Sequence, residues 1–500
     1  MSRLSPFAVA ALGLGIAACS SANNGQGTTG GATSAGGASA TGGTTATGGT
    51  TATGGAAATG GVSVAGGTTA TGGTTAAGGS APDGGTTSSG GARGGATGTD
   101  GGIAPSGGST NAGGATGTDA SIGTDGGAPA GVTCTAEYTG SDTRPLLTDA
   151  SAACFTVQNY LAQAGPVGAL VRDNWDPSAG LPAASTYTPT YTVVADGSGT
   201  HSTVQSAITA ANSAGGSTRV YILVKPGTYR ELVCVKGSVP VTLYGADTDS
   251  SKVTIVFDNY NGKTPDPANS NACASPSSAT AYGTSGSTTF YASAAGFQAQ
   301  NLTIANDFAE GSLTTNIQAV ALTVQGDQQV FQNVHVIGNQ DTLQVKSSSS
   351  AVVARSYFRN STIEGDTDFI FGRGTAVFDG CTITYVSGRK TNSTHIAPST
   401  TAANPFGFLI ISSKIVGDAG MPTGDAYLGR AWDDSGDPTA NGQTVIRNSE
   451  IAGHIKVATP WTSSTAGRAF SASGNRLYEY KNTGAGAASG AAPVDAGPGQ

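Results

Sequence analysis

Three segments of this chain are imperfect copies of one another: "VFQNVHVIGN" (330–339), "YFRNSTIEGD" (357–366) and "VIRNSEIAGH" (445–454). They share an apolar residue, a polar one, Asn, two variable positions, an apolar residue, a variable one and Gly. "GFQAQNLTIAND" (296–307), "VFDGCTITYV" (377–386) and "LIISSKIVGD" (409–418) are looser copies. Residues 330 and 357 lie 27 apart, and the longer later intervals read as inserted loops. One such unit is too small to bury its own apolar face, so the copies must stack. From about residue 190 the chain runs as short Val/Ile/Thr/Phe-rich stretches broken by Gly, Asn, Asp and Ser, a strand pattern. With no helices between copies and no hairpin-type Asn-Gly turns, an all-β parallel β-helix fits better than a sandwich or a propeller. One exception precedes the repeat. In "HSTVQSAITAANSAGG", Val204, Ala207, Ile208 and Ala211 follow a helical period that Gly215 and Gly216 end. This short helix is expected to cap one end of the stack.

Much of the rest of the chain cannot fold. Between about residues 25 and 130, repeats such as "GGTTATGGTTATGG" hold a large share of the 78 glycines and almost no large apolar side chains. That composition buries too little surface to offset its ordering entropy. It reads as a tether whose mean span is on the order of 60 Å for roughly 110 residues. The start, "MSRLSPFAVAALGLGIAACSS", has the charge, apolar run and small residues of a secretory signal over 1–18 and is too short to span a bilayer. "IAAC" (Ile16 to Cys19) resembles a bacterial lipoprotein processing box, which makes Cys19 the lipidated residue and 19–131 a linker. The alternative is an ordinary signal peptide with Cys19 incidental. Residues 132–189 form an N-terminal extension with a short helix, and 488–500 a disordered tail.

In an exported chain some cysteines should pair. Cys134 with Cys154 is the first candidate, being nearest in sequence; Cys234 with Cys273 is a second. Cys381 lies in a strand pattern and reads as a buried packing residue. The formal charge of −8 argues against nucleic acid as a partner and against simple electrostatic capture of a polyanion.

Charged residues make up only 11% of the chain, so polar groups that interrupt strands are informative. Gln318 does so in "NIQAVALTV", Gln340 and Asp341 in "GNQDTLQV", and Asp368 in "EGDTDFIFGRG". Gln318 and Gln340 are 22 residues apart, and Asp341 and Asp368 are 27 apart. Each interval is about one coil, and residues one coil apart on a sheet sit about 4.8 Å from each other. Two carboxylates that close do not both ionise easily, which yields one proton donor and one anionic nucleophile or base. The glutamines can supply N–H donors to a developing oxyanion. In "AYLGRAWDD", alternation puts Arg430 and Trp432 on one face; Arg430 can hold a carboxylate bidentately and Trp432 can stack on a sugar. Asp366, at a Gly-flanked turn, is expected to cap that turn or be solvated.

"QAVAL", "GNQDTL", "EGDTDFIFG" and "LGRAW", in that order, resemble the pectinesterases (pectin methylesterases). "VVADGSGTHSTVQSAI" and "VKPGTYRE" resemble that family's opening, and "RLYEYKNTGAGA" its end, over about 190–487. Processing box, tether and "LGRAW" look most like its bacterial outer-membrane lipoprotein branch. The resemblance implies a right-handed single-stranded parallel β-helix, a methyl-esterified polygalacturonate substrate, a lipid-anchored or secreted monomer, and no metal or organic cofactor. It makes Asp368 the nucleophile and Asp341 the acid and then base. Gln340 becomes the oxyanion stabiliser with Gln318 assisting, Arg430 the residue positioning the nucleophile, and Trp432 and Phe371 the sugar contacts. Three departures bear on substrate preference. Gln344 stands where many members have Tyr, removing an aromatic contact and leaving room for other esters. Ala431 replaces Pro, which loosens the backbone between Arg430 and Trp432, and Thr367 replaces Val.

Other readings keep the fold and change the chemistry: hydrolysis of another ester or a thioester, a calcium-dependent lyase, or a carbohydrate-binding β-helix without turnover. A serine hydrolase lacks its G-x-S-x-G. A zinc site lacks H-E-x-x-H and paired C-x-x-C. Of the four histidines, His335 in "NVHVIG" reads as structural.

Overall fold

The computed structural model describes residues 131–488. The signal segment, Cys19, the glycine-rich tract up to residue 130 and the tail from 489 lie outside the described residues.

The repeat sets the architecture. Val330 pairs in parallel with Tyr357, Tyr357 with Val377, Val377 with Leu409, and Leu409 with Val445, so each copy lies one coil above the last. The consensus Asn is the corner of each coil. Asn301, Asn333, Asn360 and Asn448 have φ of 57°, 52°, 47° and 49°, a left-handed conformation that Asn tolerates better than bulkier residues. Asn333 Nδ2 donates to Asn301 Oδ1 at 2.8 Å, making the corner a ladder. Two residues before the corners at Asn333 and Asn360 an aromatic residue turns inward. Phe297 meets Phe331 edge to face at 6.0 Å, and Phe331, Phe358 and Phe378 stack through the core with successive ring centroids 4.8 and 5.0 Å apart.

Among the described residues the coils form two main sheets, of eighteen and seven strands. The seven-stranded sheet carries the chemistry described below. Its strands are Val233–Val235, Phe290–Ala292, Leu322–Val324, Leu343–Val345, Ile370–Gly372, Thr394–Pro398 and Tyr427–Gly429, each parallel to the next in chain order. Val233, Phe290, Leu322, Leu343, Ile370 and Ile396 share one rung and are all buried in the main core. The next rung, facing away, is Cys234, Tyr291, Thr323, Gln344, Phe371 and Ala397. Close approach explains the glycine after Phe371: a Cβ at Gly372 would stand 2.0 Å from the Val345 carbonyl oxygen.

The helix expected before the repeat spans Val204–Ala214, with Thr203 as its N-cap and Gly215 at φ 68° after its end. Its buried residues are the four that the periodicity picked out. The segment 132–189 packs against the β-helix. Leu147, Phe155, Tyr160 and Leu161 cover Val330, Tyr357, Val377, Leu409 and Val445 on the outer face of the long sheet. Burying each such side chain contributes roughly 1.5–3 kcal/mol. Arg355 adds a polar anchor, reaching Asp173 and Asp327 with its guanidinium and donating to Leu161 O. Disulfides join Cys134 to Cys154 and Cys234 to Cys273, and Cys381 is a buried free thiol.

Candidate active site

Backbone hydrogen bonds put the interrupting polar residues on successive coils. Ala319 N donates to Gln340 O, Asp341 N to Thr367 O, and Asp368 N to Thr394 O. Gln318, Gln340–Asp341 and Asp368 therefore lie side by side, as one-coil spacing predicts. Both aspartates are in the left-handed region, Asp341 at φ 64° and Asp368 at φ 44°. That conformation is uncommon outside glycine and clusters at functional sites. Here it breaks the strand alternation just before Leu343 and Ile370, lifting both carboxylates out of the apolar ladder that follows.

Asp368 is fully buried. Arg430 grips it bidentately, Nε to Oδ1 at 3.1 Å and Nη2 to Oδ2 at 2.6 Å, and Thr394 Oγ1 donates to Oδ1. Such fork-to-fork pairing fixes orientation as well as offsetting the cost of burying charge. Arg430 is itself held, because its N donates to Ile396 O and Trp432 N to Pro398 O. Ala431 is buried between them, so the segment expected to be loosened by the absence of proline is pinned to the neighbouring coil.

The glutamines differ. Gln318 Oε1 accepts from Asn261 Nδ2 at 2.9 Å, which fixes the orientation of the whole planar amide, its NH2 included. Gln340 is 1% exposed, and neither its Oε1 nor its Nε2 has a hydrogen-bond partner among the described residues. Buried amides are nearly always satisfied. An unpaired one beside two carboxylates leaves both amide atoms available to a bound group.

Trp432 is half-buried and its ring centroid lies 5.6 Å from that of Phe371. Phe371 is 1% exposed and packs with Val320 and Ala397 beneath it. Trp432 therefore offers a face to solvent and Phe371 forms the floor under it. Gln344, one coil from Phe371, leaves no opening. It is 3% exposed, and its Oε1 accepts from Ser285 Oγ at 3.0 Å and Thr323 Oγ1 at 3.3 Å.

Asp366 is neither a solvated group nor a turn cap, contrary to its Gly-flanked setting. It is fully buried and paired with Arg389 through Nε and Nη2, the latter at 2.7 Å. Arg389 also pairs with Glu310. Thus 389–394 docks along the aspartate turn residue by residue: Arg389 on Asp366, Ser393 on Thr367 at 2.9 Å, Thr394 on Asp368. Thr394 was findable, since it lies one more coil, 26 residues, beyond Asp368. Asn261 and Arg389 sit in loops with no period to reveal them. His335 pairs outside the core with Glu364, Nε2 to Oε1 at 2.8 Å. Among the described residues no group of three or more His, Cys, Asp or Glu is arranged to hold a metal ion.

This geometry has relatives. The family model described as Pectinesterase matches residues 190–492. A pectinesterase of Ralstonia nicotianae is 46% identical over 379 residues, covering 72% of this chain and 96% of that protein. Among solved structures, the rice weevil pectin methyl esterase matches with a TM-score of 0.58 at 32% identity, over 71% of this chain and all of that one. Escherichia coli YbhC matches with a TM-score of 0.63 at 31% identity, over 69% and 96%.

Proposed function

This chain belongs to the pectinesterase family, and from that membership and the geometry above we propose the following chemistry for its site. The enzyme is a carboxylic ester hydrolase that de-esterifies methylated galacturonan, releasing methanol. Asp368 is the nucleophile: one carboxylate oxygen attacks the methyl-ester carbonyl carbon. The resulting oxyanion is stabilised by the amide N–H groups of Gln340 and Gln318. Asp341 protonates the departing methoxide oxygen, and methanol leaves behind an acyl-enzyme anhydride on Asp368. Asp341, now anionic, takes a proton from water, whose oxygen attacks the anhydride; the anhydride bond breaks, Asp368 returns as carboxylate, and the uronic acid released loses its remaining proton to solvent. Arg430 positions Asp368 throughout, while Trp432 and Phe371 form the sugar platform.

The observation that carries this reading is the buried Asp368–Arg430 pair, one coil from Asp341 and beside the unpaired Gln340 amide. A lyase would need its aspartates arranged around calcium, and a binding module would have no use for an orphaned buried amide. The test is methanol release from methylated pectin by the full chain without added calcium. Wild type is expected to release it and Asp368→Ala to release none. A wild-type protein that frees no methanol from pectin or methylated oligogalacturonides would overturn the proposal.

The export signal in 1–18, lipidation at Cys19 and an outer-membrane location belong to the same proposal and are supported by "IAAC" and the tract behind it. Cells fed a radiolabelled fatty acid should label the wild type and not Cys19→Ser. In this arrangement 19–131 is the linker, 132–189 a cover for the outer sheet face, and 190–487 the β-helix that works as a monomer.

A further inference from the structure

Thr394 opens the strand Thr394–Pro398, one coil beyond Asp368. It holds that aspartate twice, by main chain and by side chain. Asp368 N donates to Thr394 O at 2.7 Å, and Thr394 Oγ1 donates to Asp368 Oδ1. A threonine at a strand end ordinarily gives its hydroxyl proton to a nearby backbone carbonyl or to water. Thr394 is 3% exposed, and its proton goes instead to a carboxylate, which when ionised can only accept. The residue before it continues the contact, since Ser393 Oγ meets Thr367 Oγ1 at 2.9 Å.

Arg430 alone does not fix where Asp368 points. Its fork sets the carboxylate relative to the guanidinium, but the guanidinium ends a long side chain rooted a further coil away, and the two groups can swing together. Thr394 removes that freedom. Its hydroxyl is one bond from Cβ, on a residue whose carbonyl already holds the Asp368 N–H, and a β-branched side chain is stiff about χ1. Oδ1 therefore receives Arg430 Nε and Thr394 Oγ1, one donor for each lone pair of an sp² oxygen, while Oδ2 accepts from Arg430 Nη2. With Oδ1 anchored, attack falls to Oδ2: its electron pair forms the bond to the ester carbonyl carbon as the carbonyl π pair moves onto the ester oxygen.

We propose that Thr394 is a positioning residue of the reaction, which together with Arg430 anchors Oδ1 of Asp368 so that Oδ2 is the attacking oxygen. This deepens the esterase reading and rests on it. Thr394 touches no substrate; it acts through the nucleophile, by tying that carboxylate to the sheet where Arg430 ties it to a side chain.

The experiment measures kcat and KM for methanol release from methylated oligogalacturonides by the full chain, with thermal unfolding run beside it to confirm that each variant is folded. Thr394→Val keeps the branched shape and loses the donor. Its kcat should fall about tenfold, the worth of one hydrogen bond to a charged group, with KM unchanged. Thr394→Ser restores the hydroxyl and should recover most of kcat, a rescue that a purely structural role would not give. Should Thr394→Val fail to fold, Thr394→Ala removes the same donor and is read in its place. An intact kcat in the folded donor-less variant, or a Thr394→Ser as slow as that variant, overturns the proposal. Combined with Arg430→Lys, the two losses should be less than additive, because both donors serve Oδ1; full additivity overturns the shared anchor. A crystal structure with de-esterified oligogalacturonate in the site reads the geometry without turnover. The uronate carboxyl carbon should lie nearer Oδ2 than Oδ1 of Asp368, and the reverse overturns the assignment of the attacking oxygen. A wild type that releases no methanol counts against the esterase reading, whereas equal release by wild type and Thr394→Val counts against this inference alone.

Discussion

Arg430 holds Asp368 through two hydrogen bonds, at 3.1 and 2.6 Å, across 62 residues of sequence, with both side chains almost wholly removed from water. Each is costly to bury alone and is tolerated because of the other.

Removing one partner should therefore be worse than losing a contact. Arg430→Ala removes the bidentate partner of a buried carboxylate and should cost about 3–5 kcal/mol of stability, together with a fall in kcat of at least 100-fold. Arg430→Lys keeps charge but loses the fork; it should unfold closer to wild type while remaining catalytically poor. Thermal unfolding beside methanol-release kinetics checks both. A fully active Arg430→Lys would mean that orientation by the fork is unimportant.

Among the described residues Arg389 is the cation that Asp366 and Glu310 share by contact. Burial pushes the Asp366 carboxyl up to about 7 against the opposing pull of Thr367 and Lys390, and the guanidinium of Arg389 is the group its charged form contacts. Arg389→Ala should lower the unfolding midpoint by several degrees and reduce kcat more than it changes KM, because the turn that presents Asp368 loses its clamp. Unaltered kcat in a destabilised variant would show that the clamp serves stability alone.

Asn261 orients Gln318. Asn261→Ala should let the amide of Gln318 rotate, lowering kcat by roughly tenfold, somewhat less than removal of an oxyanion donor itself. Gln318→Ala in the Asn261→Ala background should then cost little more. Fully additive losses would show that Asn261 acts elsewhere.

A pair of buried histidines sets the acid limit. His395 Nδ1 lies 2.8 Å from the Tyr427 carbonyl oxygen and Nε2 lies 3.1 Å from His454 Nε2. The carbonyl can only accept, so His395 donates there and accepts from His454, which makes the His395 ring neutral. Burial pushes His454 down to about 4 and His395 well below its ordinary value. Since the unfolded chain takes up these protons near pH 6.5, stability is complete above that and falls as pH drops towards 4. For His454 alone the loss is about 3 kcal/mol. Unfolding midpoints at pH 7, 5.5 and 4.5 should fall steeply in the wild type and less in His454→Gln. Equal slopes would remove His454 from the account.

The sequence by itself determined the solenoid and the line of the chemistry, because both obey a period. A coil of about 27 residues fixes which side chains become neighbours, so Asp341, Asp368 and the two glutamines could be placed together, with Arg430 beside them, from spacing and motif. The same rule extended one step reaches Thr394. Tertiary structure decided what has no period. Asn261, Glu310 and Arg389 come from loops whose paths the repeat does not specify. A glycine-flanked turn looked solvated at Asp366 and is buried because the Arg389 loop folds over it. Phe371 and Gln344 face outward by strand alternation yet are covered, by Trp432 and Ser285. Alternation assigns a side chain to a face of the sheet; only the loops packed on that face decide whether it meets water.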